Sequence, residues 1–407
     1  MNIAITSPWF LPLVGGTQTL VHSLATGLGA IGDVQVTVLT GKYPQSIAGQ
    51  LSSASVSLPF ELRRFELQSE GSAAHTQNEN EEECFVLQDM EAAVKELQPD
   101  VVLYTPHAGS FGWQAYRAAT LTGARFAIWP AIHLNNLRHI SVSARSLYAR
   151  ADYAFANTAV EAEWMIQHAG IPTERVVLTG CGYRLQRYVP NAEMRKTCST
   201  KDHCAILSVG QIRRHKRYDL QLRALAMARR CLDCDLTLTI AGGESDDMPS
   251  LLEMAQSMGV AGRVRIVLNL TDRQIDEFYS DADIFLFTSE EESFGIAVLD
   301  AIAAGVYPVV LPHPAYGEMV KSAGFGRVSP EMTAESLASE IEAAIRTGEC
   351  WLPRPEQCSS WLAEHSWNVV AQKVALAFGV TGTTFDAHMA GSGDRYVEPF
   401  KHDTGQS

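Results

Sequence analysis

Two acidic residues, Glu292 and Asp300, are the most informative chemical feature of the sequence. Glu292 ends an acidic turn at residues 289–292, and Asp300 lies about two helical turns further along the chain. Residues 293–295 open the next predicted helix, which carries Asp300, and the first N–H groups of a helix can bind an anion. This arrangement suits a nucleotide sugar, because one acid can bind sugar hydroxyls and the other ribose hydroxyls.

A basic loop follows another predicted strand. That strand, residues 205–209, leads into Gly210, and residues 213–217 are Arg-Arg-His-Lys-Arg. Ligands of an open α/β sheet bind at the carboxyl ends of its strands, so cations at this edge indicate an anion such as a diphosphate. Taken without that placement, the run is more typical of a solvated charged loop.

A glycine pair, Gly15 and Gly16, follows the first predicted strand and begins an amphipathic helix. Glycine lets backbone N–H groups approach an anion closely, although tight turns use glycine pairs as well. No GxGxxG follows that strand and no GxxxxGK[ST] occurs in the sequence. The sequence therefore argues against a nicotinamide dinucleotide site and against a P-loop.

The elements that must hold these residues follow a simple alternation. Short apolar runs alternate with amphipathic stretches along almost the whole chain, which is typical of βαβ units and of parallel sheets covered on both faces. The predicted strands are residues 2–6, 35–40, 101–104, 124–130, 153–156, 176–179, 205–209, 236–241, 264–267, 284–288 and 307–311. The pattern predicts an α/β protein with two doubly wound, Rossmann-like domains.

Composition excludes several classes of protein. The chain of 407 residues has 32 basic and 46 acidic residues, a formal charge of −14, so it does not suit a nonspecific nucleic-acid binder. No basic segment precedes the first apolar stretch, which argues against a secretory signal, and we expect a cytoplasmic protein. The longest apolar run, residues 296–312, is broken by Asp300, Gly305 and Pro308 and predicts a buried helix followed by a buried strand.

No metal site is expected. The eight cysteines are scattered, and the single CxxC at Cys231 and Cys234 has no second pair to complete a zinc site. Residues 233–235 and 281–283 both have the pattern DxD, but each directly precedes an apolar strand, where acids commonly cap a turn. We expect neither a metal nor a bound cofactor.

Residues 289–310 resemble the motif S-x-x-E-[GS]-F-G-[IL]-x-x-L-E-A-x-A-x-G-x-P-V-V of the family 4 GT-B glycosyltransferases, retaining enzymes that use nucleotide-activated sugars. In this family the two domains face a central cleft. Asp300 stands where the family has the second Glu of its E-x7-E motif. The resemblance implies that Asp300 binds ribose, that the donor sugar is bound by Glu292, Ser293 and Phe294, and that Gly295 and Ile296 bind the donor diphosphate.

The resemblance extends over most of the chain. It implies that Gly15 and Gly16 also bind the diphosphate, and that His133, which follows a predicted strand, helps to place the sugar or acceptor. The family pattern G-R-x4-K matches Gly210 and Lys216, but Gln211 replaces its Arg. The cation that Gln211 cannot supply would come from Arg213 or Arg214. Three further positions depart from the family: Thr158 replaces a Ser, the turn at 179–184 lacks an Asp, and residues 264–269 lack a Gly.

The resemblance also implies a division of labour along the chain. We expect an acceptor-binding domain over 1–189, a linker at 190–203, and a nucleotide-sugar-binding domain over 204–362. A closing helix, 363–379, would cross back to the first domain, and the tail, 380–407, would be partly flexible, as would a polar insertion at 68–83.

We therefore expect a metal-independent, retaining hexosyltransferase whose catalytic residues are His133, Lys216 and Glu292. Its partners would be a nucleoside diphosphate sugar and an acceptor that is a small molecule, a glycan or a lipid-linked molecule. Membrane association would be peripheral at most, through the segment 135–150, whose pattern is more typical of an ordinary amphipathic helix. Two alternatives stay open: an epimerase or phosphorylase of the same fold, and a non-catalytic protein that binds a nucleotide or sugar.

Overall fold

The computed structural model describes residues 1–11, 13, 15–42, 58–69, 85–106, 109–184, 202–243, 247–268 and 270–380. The predicted linker, insertion and tail lie almost entirely outside these residues. The chain divides into two compact units. Unit 1 comprises Met1–Ile132, Leu137–Thr179 and the described residues from Val370 onward, and unit 2 comprises His133–Asn136 and Gly180–Val369.

Unit 1 is built on a parallel sheet of seven strands in the order β3-β2-β1-β6-β7-β8-β9. The strands of the unit are β1 (Asn2–Thr6), β2 (Gln35–Gly41), β3 (Glu61–Phe65), β4 (Leu67–Ser69), β5 (Phe85–Leu87), β6 (Val101–Tyr104), β7 (Arg125–Ile128), β8 (Tyr153–Ala156) and β9 (Val176–Leu178). Strands β4 and β5 form a separate antiparallel pair. The helices are α1 (Gly16–Gly29), α2 (Met90–Leu97), α3 (Ser110–Thr122), α4 (Val142–Tyr148) and α5 (Ala159–Gln167).

Unit 2 is built on a parallel sheet of six strands in the order β12-β11-β10-β13-β14-β15. These are β10 (His203–Val209), β11 (Asp235–Gly242), β12 (Val264–Leu268), β13 (Ile284–Phe287), β14 (Tyr307–Val310) and β15 (Arg327–Val328). The helices are α6 (Tyr218–Cys231), α7 (Met248–Ser257), α8 (Asp272–Asp281), α9 (Ile296–Ala303), α10 (Tyr316–Ala323), α11 (Ala334–Thr347) and α12 (Glu356–Ala363). The last boundary between the units along the chain, at Val369 and Val370, falls within α13 (Trp367–Ala377).

Two doubly wound α/β domains are thus confirmed, and each predicted strand is present within two residues of its predicted ends. Burial explains why these strands were visible: every residue of β13 and β14 is buried, so each strand is a continuous apolar run. The apolar run at 296–312 is a helix followed by a strand, as predicted. No helix among the described residues is long and apolar enough to span a membrane.

Candidate functional site

The predicted site residues of unit 2 gather at one point of its sheet. Strand order reverses between β10 and β13, which are paired at Ile206 with Ile284 and at Leu207 with Phe285. The basic loop follows β10 and the acidic turn follows β13. Such a reversal opens a crevice at the carboxyl ends of the strands, which is where ligands of this type of sheet bind.

An ion pair between Lys216 and Glu292 forms the centre of the site. Lys216 Nζ donates a hydrogen bond to Glu292 Oε1, and the two side chains are only 18% and 15% exposed. Burial raises the pKa of Glu292, but the charge and the hydrogen bond of Lys216 outweigh it and hold that pKa below its usual value. Lys216 Nζ also lies 5.8 Å from the centroid of the Phe287 ring. The site therefore holds a carboxylate beside a preformed cation.

A buried hydrogen-bond network fixes the backbone at Lys216. The hydroxyl of Thr288, at the end of β13, donates to the carbonyl oxygen of Lys216 at 2.7 Å. The amide nitrogen of Gln221 donates to the hydroxyls of Thr288 and Ser208, at 2.9 and 3.0 Å. Thr288, Gln221 and Ser208 are all buried, so the network ties β10, α6 and β13 together beneath the cation. The network was not predicted, and the sequence hints at it only through a lone Gln on the apolar face of α6.

Close backbone packing holds the loop after β10. A Cβ at Gly242 would lie 1.9 Å from the carbonyl oxygen of Gly210, so only glycine fits at the end of β11. The same carbonyl oxygen accepts a hydrogen bond from the Tyr218 hydroxyl at 3.0 Å. Gly210 is therefore held from two sides at the start of the basic loop.

The acidic turn is held by backbone and side-chain donors. Its Glu290 N–H donates to the carbonyl oxygen of His215 at 2.8 Å, and the Tyr316 hydroxyl donates to that of Ser289 at 2.7 Å. Arg217, which the sequence analysis did not select, pairs with Glu290 and makes a two-point contact with Asp219 at 2.9 and 3.1 Å. These contacts join the basic loop to the acidic turn.

The predicted anion site lies where α9 begins. Phe294 is buried, and Gly295 precedes the first helical residue, Ile296, which follows Ser293 by three positions. Gly295 has a φ of 97°, and a Cβ there would lie 2.9 Å from Tyr316 Cβ, so both conformation and space require glycine. The backbone N–H groups at this helix start are those that an anion can bind.

His133 belongs to the same cluster. Its Nδ1 lies 4.0 Å from Glu291 Oε2, and the Asn135 side chain donates to the Glu290 carbonyl oxygen at 2.8 Å. Burial, aided by the nearby Lys216, lowers the pKa of His133 to about 4 despite the opposing charge of Glu292. The imidazole is therefore neutral at pH 7.

A second histidine, His313, was not selected from the sequence. Its Nδ1 accepts a hydrogen bond from the Ala315 N–H at 3.1 Å, and its ring stacks on Tyr316 with centroids 4.7 Å apart. The proton of the neutral ring therefore lies on Nε2. Burial lowers the pKa of His313, with Glu292 opposing.

Asp300, the predicted ribose ligand, is 2% exposed. Its Oδ1 accepts a hydrogen bond from the Arg184 backbone N–H at 2.7 Å, and its Oδ2 lies 3.6 Å from Arg184 Nε. Arg184 ends the turn in which the sequence lacks the family's acid. The guanidinium group of Arg184 therefore lies beside the Asp300 carboxylate within unit 2.

The remaining predicted residues lie in less central places. Half-buried Arg213 precedes the 3-10 turn at Arg214–Lys216, and exposed Arg214 donates its backbone N–H to Asp247 at 2.9 Å. Gly15 and Gly16 lie in unit 1, where Gly16 is the first residue of α1. Across the described parts of both units, no group of three His, Cys, Asp or Glu side chains is placed to hold a metal ion.

Two family models match the chain. The model for Glycosyltransferase Family 4 matches residues 14–187, and the model for Glycosyl transferases group 1 matches residues 191–359. Together they account for most of the sequence.

Curated relatives match over shorter stretches. A D-inositol 3-phosphate glycosyltransferase of Geodermatophilus obscurus is 29% identical over 273 residues, which is 63% of this chain and 58% of that protein. A mannosylfructose-phosphate synthase of Agrobacterium fabrum is 24% identical over 191 residues, 44% of this chain and 41% of that protein. The chain spans about half the length of the curated relatives it matches.

Solved structures match over nearly the whole chain. Anabaena HepE in complex with UDP and glucose has a TM-score of 0.73 at 16% identity, covering 93% of this chain and 99% of that one. Sucrose-phosphate synthase from Thermosynechococcus elongatus has a TM-score of 0.73 at 16% identity, covering 93% and 98%. At this identity the likeness shows the fold, and it agrees with the two doubly wound domains.

Proposed function

We propose that this chain, which belongs to the GT-B glycosyltransferases that join a Glycosyltransferase Family 4 domain to a Glycosyl transferases group 1 domain, is a hexosyltransferase. In this proposal it transfers a hexose from a nucleoside diphosphate sugar to an acceptor. The transfer retains the configuration of the sugar and needs no metal ion. The observation that carries the proposal is the Lys216–Glu292 pair at the strand-order reversal of unit 2. The pair supports the proposal because a cation of the kind that binds phosphate lies beside a carboxylate of the kind that binds hydroxyl groups.

Charge stabilisation of the leaving diphosphate is the main catalytic contribution in this proposal. As the bond between the sugar carbon and the diphosphate oxygen breaks, negative charge grows on the diphosphate and the sugar becomes oxocarbenium-like. The Lys216 ammonium group and the N–H groups of Gly295 and Ile296 stabilise that charge, and they are in place before the reaction begins. The ammonium group has three donors, so it can keep Glu292 and still bind phosphate.

Proton transfer needs no carboxylate base in this mechanism. The acceptor oxygen bonds to the sugar carbon on the face that the diphosphate leaves, and the acceptor proton passes to the leaving diphosphate. Glu292 binds sugar hydroxyls, and neutral His133 helps to place the sugar or acceptor. Asp300 binds the ribose with Arg184 beside it.

The donor is identified first. Thermal stabilisation by UDP-, GDP- and ADP-glucose names the base, because a ligand that binds only the folded chain raises the melting temperature. Repeating the measurement with EDTA tests whether donor binding needs a metal ion, and turnover with EDTA tests whether the reaction does. The matched relatives named D-inositol 3-phosphate glycosyltransferases make that polyol phosphate the first acceptor to try. Small glycans and lipid-linked sugars follow.

The proposal is tested by Lys216→Met, with Lys321→Met as the matched control. Lys216 is a half-buried residue of the site, whereas Lys321 is an exposed residue of α10 that pairs with Glu318. We expect turnover of the identified donor to fall about 10²- to 10³-fold in Lys216→Met, as when one transition-state donor is removed. Turnover in the control should not change.

Three other results would redirect the assignment. Unchanged turnover in Lys216→Met removes that residue from catalysis. Donor conversion without any transfer product points to an epimerase or phosphorylase. Donor binding without turnover on every acceptor points to a non-catalytic protein that binds nucleotide sugars.

A further inference from the structure

Glu161, in the first turn of α5, is a buried acid for which the proposed reaction has no direct use. It is 1% exposed, and each of its carboxyl oxygens accepts a backbone hydrogen bond. Oε1 accepts from the Ile132 N–H at 2.6 Å, and Oε2 accepts from the Asn157 N–H at 2.7 Å. One side chain thus joins the loop that follows β7 to the loop that follows β8.

A second contact strengthens the same connection. The indole N–H of Trp129, in the loop after β7, donates to the Asn157 side-chain oxygen at 2.7 Å. Trp129 and Asn157 are both buried. Two hydrogen bonds shielded from water therefore join residues 129–132 to the start of α5. The third, from the Asn157 N–H to Glu161, fixes the two acceptors relative to each other.

The loop that they fix contains a strained residue. Ala131 has a φ of 48°, in the left-handed region, which costs about 1 kcal/mol for a residue with a Cβ. Strain of this kind persists where the surroundings hold the backbone firmly, and it concentrates at functional sites. Ile132 follows Ala131, and His133 follows Ile132.

We propose that Glu161 is a positioning residue for His133: by binding the Ile132 N–H it holds the strained turn at Ala131, and so sets the direction of the chain that carries the imidazole towards Glu291. The effect on turnover rests on the proposed function, whereas the effect on the imidazole does not. The side chain must offer two acceptors to two converging N–H donors. Glutamine cannot replace it, because its amide nitrogen accepts no hydrogen bond.

The cost of burying Glu161 agrees with a specific role. Burial raises the pKa of Glu161 to about 8, against the opposing effect of the two N–H donors. An apolar residue would avoid that cost but would leave both N–H groups unpaired.

The first test follows the His133 ring by NMR, with carbon-13-labelled histidine, in the wild type, Glu161→Gln and Glu163→Gln. Glu163 is the matched control, because it lies on the same helix and its exposed carboxylate accepts a hydrogen bond from the Gln167 side chain at 2.7 Å, away from the Ile132 N–H. The His133 signal is assigned as the one lost in His133→Gln. The charged and titratable groups that face this ring are Glu291, Glu292, Lys216, His215 and His313.

We expect no titration of the wild-type His133 ring between pH 8 and pH 6, because its pKa lies at about 4. A small shift of the signal centred near pH 8 would report Glu161, whose own pKa is about 8, and is distinguished from ring protonation by its size and midpoint. In Glu161→Gln the ring should titrate within this interval, because a released imidazole regains solvent and its ordinary pKa. Glu163→Gln should behave as the wild type. A His133 signal that is equally constant in Glu161→Gln overturns the proposal. Glu161→Asp, which is too short to reach both N–H groups, provides the same test if the glutamine variant does not fold.

The second test is a double-mutant cycle on donor turnover with His133→Gln, Glu161→Gln and the double variant. If Glu161 acts through His133, Glu161→Gln lowers kcat about 10- to 10²-fold alone and has no further effect in the His133→Gln background. An equal loss in both backgrounds assigns Glu161 a general structural role and overturns the proposal. If the NMR change occurs but His133→Gln keeps full turnover, the positioning is supported and the catalytic role of His133 is refuted.

Discussion

Replacing Lys216 by Met removes the ammonium ion from Glu292 and keeps most of the length of the side chain. The two charges are 18% and 15% exposed, so part of their interaction is screened by solvent. Breaking a fully buried pair costs about 3–5 kcal/mol, and we discount this to about 2 kcal/mol at pH 8. For a unit of this size, the loss corresponds to a melting temperature lower by about 4–8 °C.

The stability lost in Lys216→Met should depend on pH, and the surroundings of Glu292 determine in which direction. In the wild type, Lys216 holds the pKa of Glu292 below its usual value, so this interaction stabilises the fold above that usual value and is lost as the pH falls. In Lys216→Met, burial, the largest effect on Glu292, is no longer offset by Lys216, so the pKa of Glu292 rises. The variant therefore loses stability as the pH rises.

Protonation limits the cost at low pH. Protonating a glutamic acid costs about 1.4 kcal/mol for each pH unit above its usual pKa. At pH 5 the unpaired Glu292 can therefore lose its charge by taking up a proton, at a cost of about 1 kcal/mol or less in the free energy of unfolding. We expect the melting temperature of Lys216→Met to be about 2–4 °C below that of the wild type at pH 5, against about 4–8 °C at pH 8.

Differential scanning fluorimetry at the two pH values measures the difference directly. Lys321→Met is the surface control, and Lys216→Met/Glu292→Gln should recover most of the stability at pH 8, because it removes the unpaired charge. An equal loss at pH 5 and pH 8, or no recovery in the double variant, would refute the electrostatic reasoning.

Two further predictions concern backbone packing and protonation. Gly242→Ala should lower the free energy of unfolding by about 1–3 kcal/mol, because its Cβ would lie 1.9 Å from the Gly210 carbonyl oxygen, and the melting temperature should fall by several degrees. Gly243→Ala, whose Cβ would have its nearest neighbour at 3.8 Å, should leave the melting temperature unchanged. Similar melting temperatures for the two variants would contradict this. Because burial lowers the pKa of His133 to about 4, the turnover of the wild type relative to His133→Gln should stay constant from pH 8 to pH 6, and a ratio that changes around pH 6.5 would show that His133 titrates there.

Most strands of the two parallel sheets were predictable because each carries its evidence locally; β3 and the two-residue β15 were not predicted. A parallel strand covered on both faces is a short apolar run, as in Val101–Tyr104, where every residue is buried. Strand β3, with the sequence ELRRF, was missed because it lies at the edge of its sheet, and none of its residues is buried. Its charged side chains hide the strand from a search for apolar runs.

The site was only partly predictable, because local patterns identify single residues but not the distant residues that they contact. Lys216 and Glu292 were each selected from local patterns, but they are 76 residues apart, and nothing local shows that they pair. Thr288 and Gln221, which hold the backbone beneath Lys216, have no distinguishing neighbours in the sequence. Their role arises only because β10 and β13 are adjacent in the sheet.

The sequence by itself determined the alternation of strands and helices, a helix directly after the acidic turn and the family resemblance, because each depends on residues close together along the chain. Only the tertiary structure decided that Arg184 stands beside Asp300, 116 residues away, and that Glu161 holds the N–H before His133. Such contacts depend on which strands become neighbours and which loops meet at their ends. A residue's own neighbours in the sequence carry no information about either.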